Sequence, residues 1–223
     1  METVNAAPNL AQDLIRIHKA ITRGLTVGAA KGAQFMAEPP SDTSLRRGLA
    51  DYVQALTFVL GAHHLGEDEV AFPAFKAKLP DAPYARLSQD HKRIEALLGP
   101  IRDSAGRSAE GSMEAELKFM ADGLKSLMAL WSPHIEMEES QFSEKAIGAV
   151  MRPDEQAGLS AVLGKHSQEH IGPPFLALPF VLFNLELEDR TAFANTLPKP
   201  VVEVLIPHEW KDKWAPMKPF LLS

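Results

Sequence analysis

The sequence contains no cysteine among its 223 residues. This absence excludes disulfide bonds, thiolate zinc sites, iron–sulfur clusters and cysteine nucleophiles together. A bound metal would therefore be held by imidazole nitrogens and carboxylate oxygens, a ligand set that suits iron, manganese, zinc or copper.

Long apolar runs and an excess of positive charge are also missing. The most apolar segment, Phe175 to Leu185, is too short to span a bilayer and contains Pro179. The N-terminus shows no basic stretch followed by an apolar core, so we expect no signal peptide and a cytoplasmic location. The formal net charge of -6 argues against nucleic acid and anionic membranes as partners.

Apolar residues recur with helical periodicity through most of the chain, and no segment shows the alternation of a strand. We expect long helices over about 10–30, 44–79, 84–104 and 112–147, with a bend or break near Pro73. Short connections between four such helices predict an all-α, antiparallel up-down-up-down four-helix bundle. We assign residues 1–150 to this bundle and residues 151–223 to a helical, proline-rich C-terminal extension packed on it.

The eight histidines are unevenly placed relative to the acidic residues. Five of them are followed four residues later by an acid, where chance would give about one such pair. These pairs are His63/Glu67, His64/Asp68, His91/Glu95, His134/Glu138 and His208/Asp212.

Residues four apart lie on one face of a helix, so an imidazole and a carboxylate at that spacing can reach the same ion. Two overlapping pairs fall on the second helix and one on the fourth, which predicts two half-sites. A lone histidine on the first helix and one on the third would complete them. The predicted set is His18, His63 with Glu67, His91, and His134 with Glu138.

A single pair of this kind is more often a solvated ion pair on a helix surface. His63, however, continues the apolar face formed by Val59 and Leu60, and His18 lies between Leu14 and Ile21 on the apolar stripe of the first helix. Inward histidines on four helices favour a metal site, because bound cations stabilise such a cluster of buried polar groups.

The same residues resemble a known family. The run HHLGEDEVAFP from His63 to Pro73, together with His18, His91 and the segment His134–Glu138, is similar to the hemerythrin-like, or HHE cation-binding, domain. The resemblance covers about Ala11 to Ile147. Ferritin-like di-iron proteins place Glu before His at a spacing of three instead, a pattern that these helices do not carry.

The resemblance implies a centre of two non-heme iron ions with an oxo or hydroxo bridge. The implied ligands are His18, His63, Glu67, His91, His134 and Glu138, of which Glu67 and Glu138 would bridge the ions. The choice of His63/Glu67 over His64/Asp68 also rests on the family motif. The second pair would then lie about 100° around the helix, beside the ligands or on the surface.

One position departs from the oxygen-carrying members of the family. They have a further histidine four residues after the third-helix ligand, where this chain has Glu95. We include Glu95 in the predicted metal site, with a surface acid as the alternative. A more carboxylate-rich centre favours redox chemistry over oxygen transport.

Two functions remain open at this point, beside a helical protein that binds zinc or no metal. The first is a di-iron oxidoreductase that reacts with dioxygen or peroxide, either catalase-like in removing peroxide or oxidase-like towards a small molecule. The second is a non-catalytic module that senses, binds or stores oxygen, nitric oxide or iron. The sequence does not identify the substrate or the oligomeric state.

Two further features of the sequence lie outside the predicted metal site. His166 and His170 share a helix face and could chelate a metal, although Gly-Pro-Pro after His170 favours a role at a helix end. Tyr52 lies three turns before His63, where a core aromatic is expected and a redox role is the alternative.

Overall fold

The computed structural model describes residues 9–110 and 113–222 and is helical throughout, with no strand in those two ranges. The helices are α1 (Leu10–Ala37), α2 (Thr43–Gly66), a π-helical turn (Glu67–Ala71), α3 (Phe72–Lys76), α4 (Tyr84–Glu110), α5 (Met113–Gln141), α6 (Glu144–Val150), α7 (Pro153–His170), α8 (Pro174–Phe183), α9 (Leu187–Ala194), a second π-helical segment (Val201–Glu209), α10 (Lys211–Trp214) and a 3-10 helix (Ala215–Phe220). The expected all-helical class is confirmed.

Four long helices, α1, α2, α4 and α5, surround the main core. Side-chain caps begin the first two: Asn9 accepts a hydrogen bond from the backbone of Gln12, and Asp42 from that of Ser44. Helix α5 packs against α1 and α4, and α2 packs against α4 and, less extensively, α1. The looser α1–α2 side is the side on which the rest of the chain lies.

The predicted second helix is continuous in space but changes its form at Glu67. Pro73 lacks the amide hydrogen that an α-helix would need at that position, and its ring crowds the preceding turn. The chain accommodates it with the π-helical turn, in which the amide of Phe72 bonds to the carbonyl of Glu67. The predicted disturbance near Phe72 is therefore a local widening of the helix that begins at a predicted metal ligand.

The predicted fourth helix is shorter at its C-terminal end than expected. Helix α5 ends at Gln141, and Ser143 then caps the separate helix α6 by accepting a hydrogen bond from the amide of Ala146. A serine at this position competes for the helical backbone hydrogen bonds and starts a new helix instead. The predicted start at residue 112 lies outside the described residues.

Residues beyond Pro153 cover the α1–α2 side of the long helices. Helix α7 contacts α2 and the π-helical turn, and α8 contacts both α1 and α2. The 3-10 helix approaches α2 so closely that a Cβ added at Gly48 would lie 2.0 Å from the carbonyl oxygen of Pro216. Gly172 joins α7 to α8 with a φ of 74°, and a Cβ there would also meet Phe58 at 2.7 Å. The division at residue 150 stays a prediction.

A buried polar network ties this extension to the long helices. The Tyr52 hydroxyl donates to the Asn184 side-chain oxygen at 2.7 Å, and Arg23 donates to the same oxygen and to the carbonyl of Phe220. Burial raises the pKa of the Tyr52 phenol well above its usual value. Tyr52 therefore serves as a hydrogen-bonded core aromatic, the expected role.

No helix within the described ranges is both long and apolar enough to cross a membrane.

Candidate metal centre

The centre lies at the end of a helix that has almost no polar face. From Tyr52 to Gly66, α2 contains no Asp, Glu, Lys or Arg. This stretch is covered by α1, α4 and the extension, so both histidines near its end turn into the protein. The His63 side chain is 8% exposed, and His64 is 3% exposed.

Four side chains form the first half of the centre. The nitrogens of His18 and His63 and the carboxylate oxygens of Glu67 and Glu138 lie within 4.8 Å of one another. They come from α1, α2, the π-helical turn and α5. This half contains two imidazoles and two carboxylates.

Four side chains likewise form the second half. His64, Glu67, His91 and His134 bring one ligand atom each within 4.8 Å of the others. They come from α2, the π-helical turn, α4 and α5. This half contains three imidazoles and one carboxylate, and it shares Glu67 with the first half.

Both carboxylates contact an imidazole from each half. Glu67 lies 3.2 Å from His63 Nε2 through Oε1 and 3.5 Å from His91 Nε2 through Oε2. Oε2 of Glu138 is 3.5 Å from His18 Nε2 and 3.4 Å from His134 Nε2. The two carboxylates are therefore arranged as bridges between the halves.

The spacing of the imidazole nitrogens fits bound cations. The Nε2 atoms of His18 and His63 are 3.1 Å apart, and those of His91 and His134 are 3.2 Å apart. Two ligand atoms on the same ion, each bound at about 2.1 Å, lie about 3.0–3.4 Å from each other. Each histidine pair thus has the separation expected for neighbouring ligands of one ion.

Carboxylates outside the two clusters orient two of the imidazoles. Nδ1 of His18 lies 2.8 Å from Glu139 Oε1, and Nδ1 of His91 lies 3.0 Å from Asp68 Oδ2. Ser88 in turn donates a hydrogen bond to Asp68. The hydrogen bond to His18 fixes its ring and tautomer, the contact with His91 restrains that ring, and both leave Nε2 directed at a metal.

His64 belongs to the second cluster but was not among the ligands predicted from the sequence. Its ring stacks on His91 with centroids 3.9 Å apart, and neither ring nitrogen has a hydrogen-bond partner. A buried imidazole without partners is costly unless a cation or a ligand satisfies it. The signal in the sequence was the lack of charge along α2, which leaves no exposed face for either histidine.

The electrostatics of the cluster also indicate bound cations. Burial, and then the neighbouring imidazoles, hold the pKa values of His63 and His64 well below their usual range. Burial and the nearby Glu138 carboxylate raise the pKa of Glu67. Burial also opposes ionisation of Glu138, but its contacts with His134 and His18 outweigh this and lower its pKa. Bound cations would neutralise the charge of the buried carboxylates and bind the free nitrogens of the neutral imidazoles.

The remaining candidates lie outside the two clusters. Glu95, which we predicted as part of the metal site, has an exposed side chain beside Gly61, and neither cluster includes it. His166 contacts Glu69, and Nδ1 of His170 bonds to the carbonyl of His166 near the end of α7, which fits the helix-end role.

Two cavities reach the centre from different sides. One, of about 630 Å³, lies between α2 and α4 and is lined by His64, His91, Glu95 and other residues. The other, of about 850 Å³, lies between α1, α2 and the extension and is lined by His63, Glu67 and Glu138 among others. Each half of the centre therefore has its own approach from outside.

The comparisons with known proteins agree with this geometry. The family model described as the hemerythrin HHE cation binding domain matches residues 9–146. No curated protein and no solved structure matches the chain. The matched residues include every side chain of the two clusters and make up more than half of the chain. The chain belongs to the hemerythrin HHE cation-binding domain family.

Proposed function

We propose that this protein is a non-heme di-iron protein whose centre reacts with dioxygen or peroxide. In this proposal α1, α2, α4 and α5 form an antiparallel up-down-up-down four-helix bundle around two iron ions. The observation that carries the proposal is the pair of clusters that share Glu67 and are bridged again by Glu138. A carboxylate common to two clusters favours a two-ion centre over two unrelated sites.

Different histidines would bind each of the two ions. His18 and His63 would bind one ion, while His64, His91 and His134 would bind the other, and Glu67 and Glu138 would reach both. Imidazole and carboxylate together suit iron, and a mixed set of this kind leaves positions open for a small ligand. Bound iron supplies the capacity for electron transfer to and from dioxygen or peroxide.

The protein's own contribution is positioning and the exclusion of water. Asp68 and Glu139 hold the rings of His91 and His18, which keeps the ligand atoms in place without rearrangement. His18, His91 and His134 are buried, so small ligands would reach the centre through the two cavities. A reaction at this centre would proceed in a site largely shielded from solvent.

The experiment that tests this function measures metal content and turnover on one sample. Protein purified with iron should contain two irons per chain and should consume hydrogen peroxide, or dioxygen with a reductant, in an electrode assay. The Glu138→Gln variant should lose most of this activity. Glu136→Gln, which changes an exposed acid two residues earlier on α5, should keep it.

The outcome also separates the two functions. Protein that holds two irons yet consumes neither oxidant would contradict the redox proposal and favour a module that binds or senses oxygen, nitric oxide or iron. Protein that holds no iron would contradict both.

A further inference from the structure

The larger cavity beside the metal centre has the character of a binding site for an organic molecule. We propose that it binds an apolar aliphatic molecule with one polar end group, the substrate class on which the centre would act. The chemical part of this proposal rests on the proposed function. The binding part is a property of the chain alone.

The cavity is large and its wall is mainly apolar. Its volume of about 850 Å³ lies within the range of sites that bind small organic molecules. The apolar wall includes Leu14, Ile17, Val59, Leu163, Phe193 and Trp210. An apolar space of this size offers water few hydrogen-bond partners, so an apolar ligand would fill it favourably.

The inner end of the cavity opens on the half of the centre that has fewer imidazoles. His63, Glu67 and Glu138 all line it. Among the five clustered histidines, His63 has the most exposed side chain, at 8%. A molecule in the cavity would thus end beside the ion held by His18 and His63.

The outer wall of the cavity comes from outside the family domain. The family match ends at residue 146, whereas Leu163, Leu178, Phe193 and Trp210 all follow it. A contact of 2.9 Å between His166 and Glu69 fixes α7 over the π-helical turn that carries Glu67. The extension therefore converts the looser α1–α2 side into a cavity and would set which molecule reaches the centre.

The polar side chains of the cavity wall are the reason for proposing a polar end group on the ligand. Ser160, Lys165 and Gln168 line the cavity from α7, and Lys165 and Gln168 are exposed. A hydroxyl or similar polar group could bond to them at the outer end, while the chain of the molecule lies among the apolar residues. Asp13 and Arg16 also line the cavity, but they form an ion pair with each other at 2.7 Å.

A pair of glycines on α7 provides the test. Gly164 lines the cavity, Gly158 does not, and a Cβ added at either position meets nothing within 4 Å. Both lie in the interior of a helix, where replacing glycine raises helix propensity. Gly164→Phe should therefore fold normally and place a ring in the cavity, and Gly158→Phe is the matched control.

The measurement is quenching of tryptophan fluorescence by 11-bromoundecan-1-ol, since Trp210 lines the cavity and bromine quenches indole emission. It is made on the full chain both with iron and after its removal by a chelator. We expect saturable quenching in wild type and Gly158→Phe, and an affinity lower by about tenfold or more in Gly164→Phe. In the iron form, the ligand should also shift the visible spectrum.

The outcomes separate the two proposals. Equal quenching in Gly164→Phe and Gly158→Phe, or no saturable quenching in wild type, would overturn the binding site. Saturable binding that Gly164→Phe abolishes would support it even if the iron form never oxidises the alcohol. Failure of the iron form to oxidise the alcohol would count against the proposed redox function alone.

Discussion

The two halves of the metal centre differ in composition and in surroundings. One half has two imidazoles and two carboxylates, and it adjoins the cavity walled by the extension. The other has three imidazoles and one carboxylate, and it adjoins the smaller cavity between α2 and α4. The difference arises at two neighbouring residues, because His63 and His64 lie about 100° apart on α2 and face different halves.

The comparison suggests a division of roles between the ions. The half with three imidazoles has more neutral ligands and would hold its ion without help from exogenous groups. The half with His18 and His63 has an opening to the apolar cavity and would meet substrate. Variants that affect one half and spare the other test whether the two halves have different roles.

The largest effect should come from Glu67, the residue common to both clusters. Glu67→Ala removes a ligand of both ions, so we expect iron per chain to fall close to zero. Elemental analysis measures the iron, and circular dichroism checks that the helices remain. Glu136→Ala on the exposed face of α5 is the control and should keep both ions. Two irons retained in Glu67→Ala would show that the halves do not depend on a shared carboxylate.

His64→Phe should affect the second half alone. The ring can still stack on His91 but cannot bind a cation, so we expect about one iron per chain. In the metal-free protein the change removes a buried imidazole without hydrogen bonds, and stability should rise by about 1 kcal/mol. Urea unfolding with and without iron measures both effects. His208→Phe, at an exposed histidine, is the control. Two irons bound with wild-type affinity would make His64 a core residue only.

Changes to the orienting carboxylates should weaken one half each by a smaller amount. Asp68→Asn loosens His91, and Glu139→Gln loosens His18. Loss of such a contact costs roughly 10–100-fold in metal affinity. Iron titration against a competing chelator should show one weakened step in each variant. Equal weakening of both steps would contradict independent roles for the two halves.

The smallest effect concerns the pH dependence of the metal-free protein. Burial keeps the pKa of His64 well below its usual value of about 6.5, so below pH 6.5 the unfolded state binds a proton that the folded state does not. Stability should therefore fall as the pH drops from 6.5 to 5. His64→Phe should make this slope shallower by up to about 1.4 kcal/mol per pH unit. Urea midpoints across this range measure it, and an unchanged slope would contradict a buried neutral His64.

Much of the fold could be predicted because the relevant patterns are local. The apolar stripes predicted the four long helices. The π-helical turn could not be predicted in detail, because Pro73 requires a disturbance without specifying its form. The packing of the Phe175–Leu185 segment on the long helices was also not predictable, because a uniformly apolar helix has no polar face to orient it.

The site was predictable where residues four apart share a face, as in His63/Glu67 and His134/Glu138. His64 was missed because its burial depends on contacts with α4 and α5 that are distant in sequence. Glu95 was included because it repeats the same spacing, yet its side chain lies at the exposed surface of α4. Spacing identifies residues that share a helix face, and packing decides how far along that face the side chains are buried.

Glu67 is proposed to join two ion sites in one centre. Titration of the metal-free protein with ferrous iron in air, followed by absorption in the near ultraviolet and visible, measures how many ions the centre takes up. If Glu67 joins two sites, the absorption should rise until two irons per chain have been added. A break at one iron per chain, or a protein that stays colourless at every ratio, would contradict it.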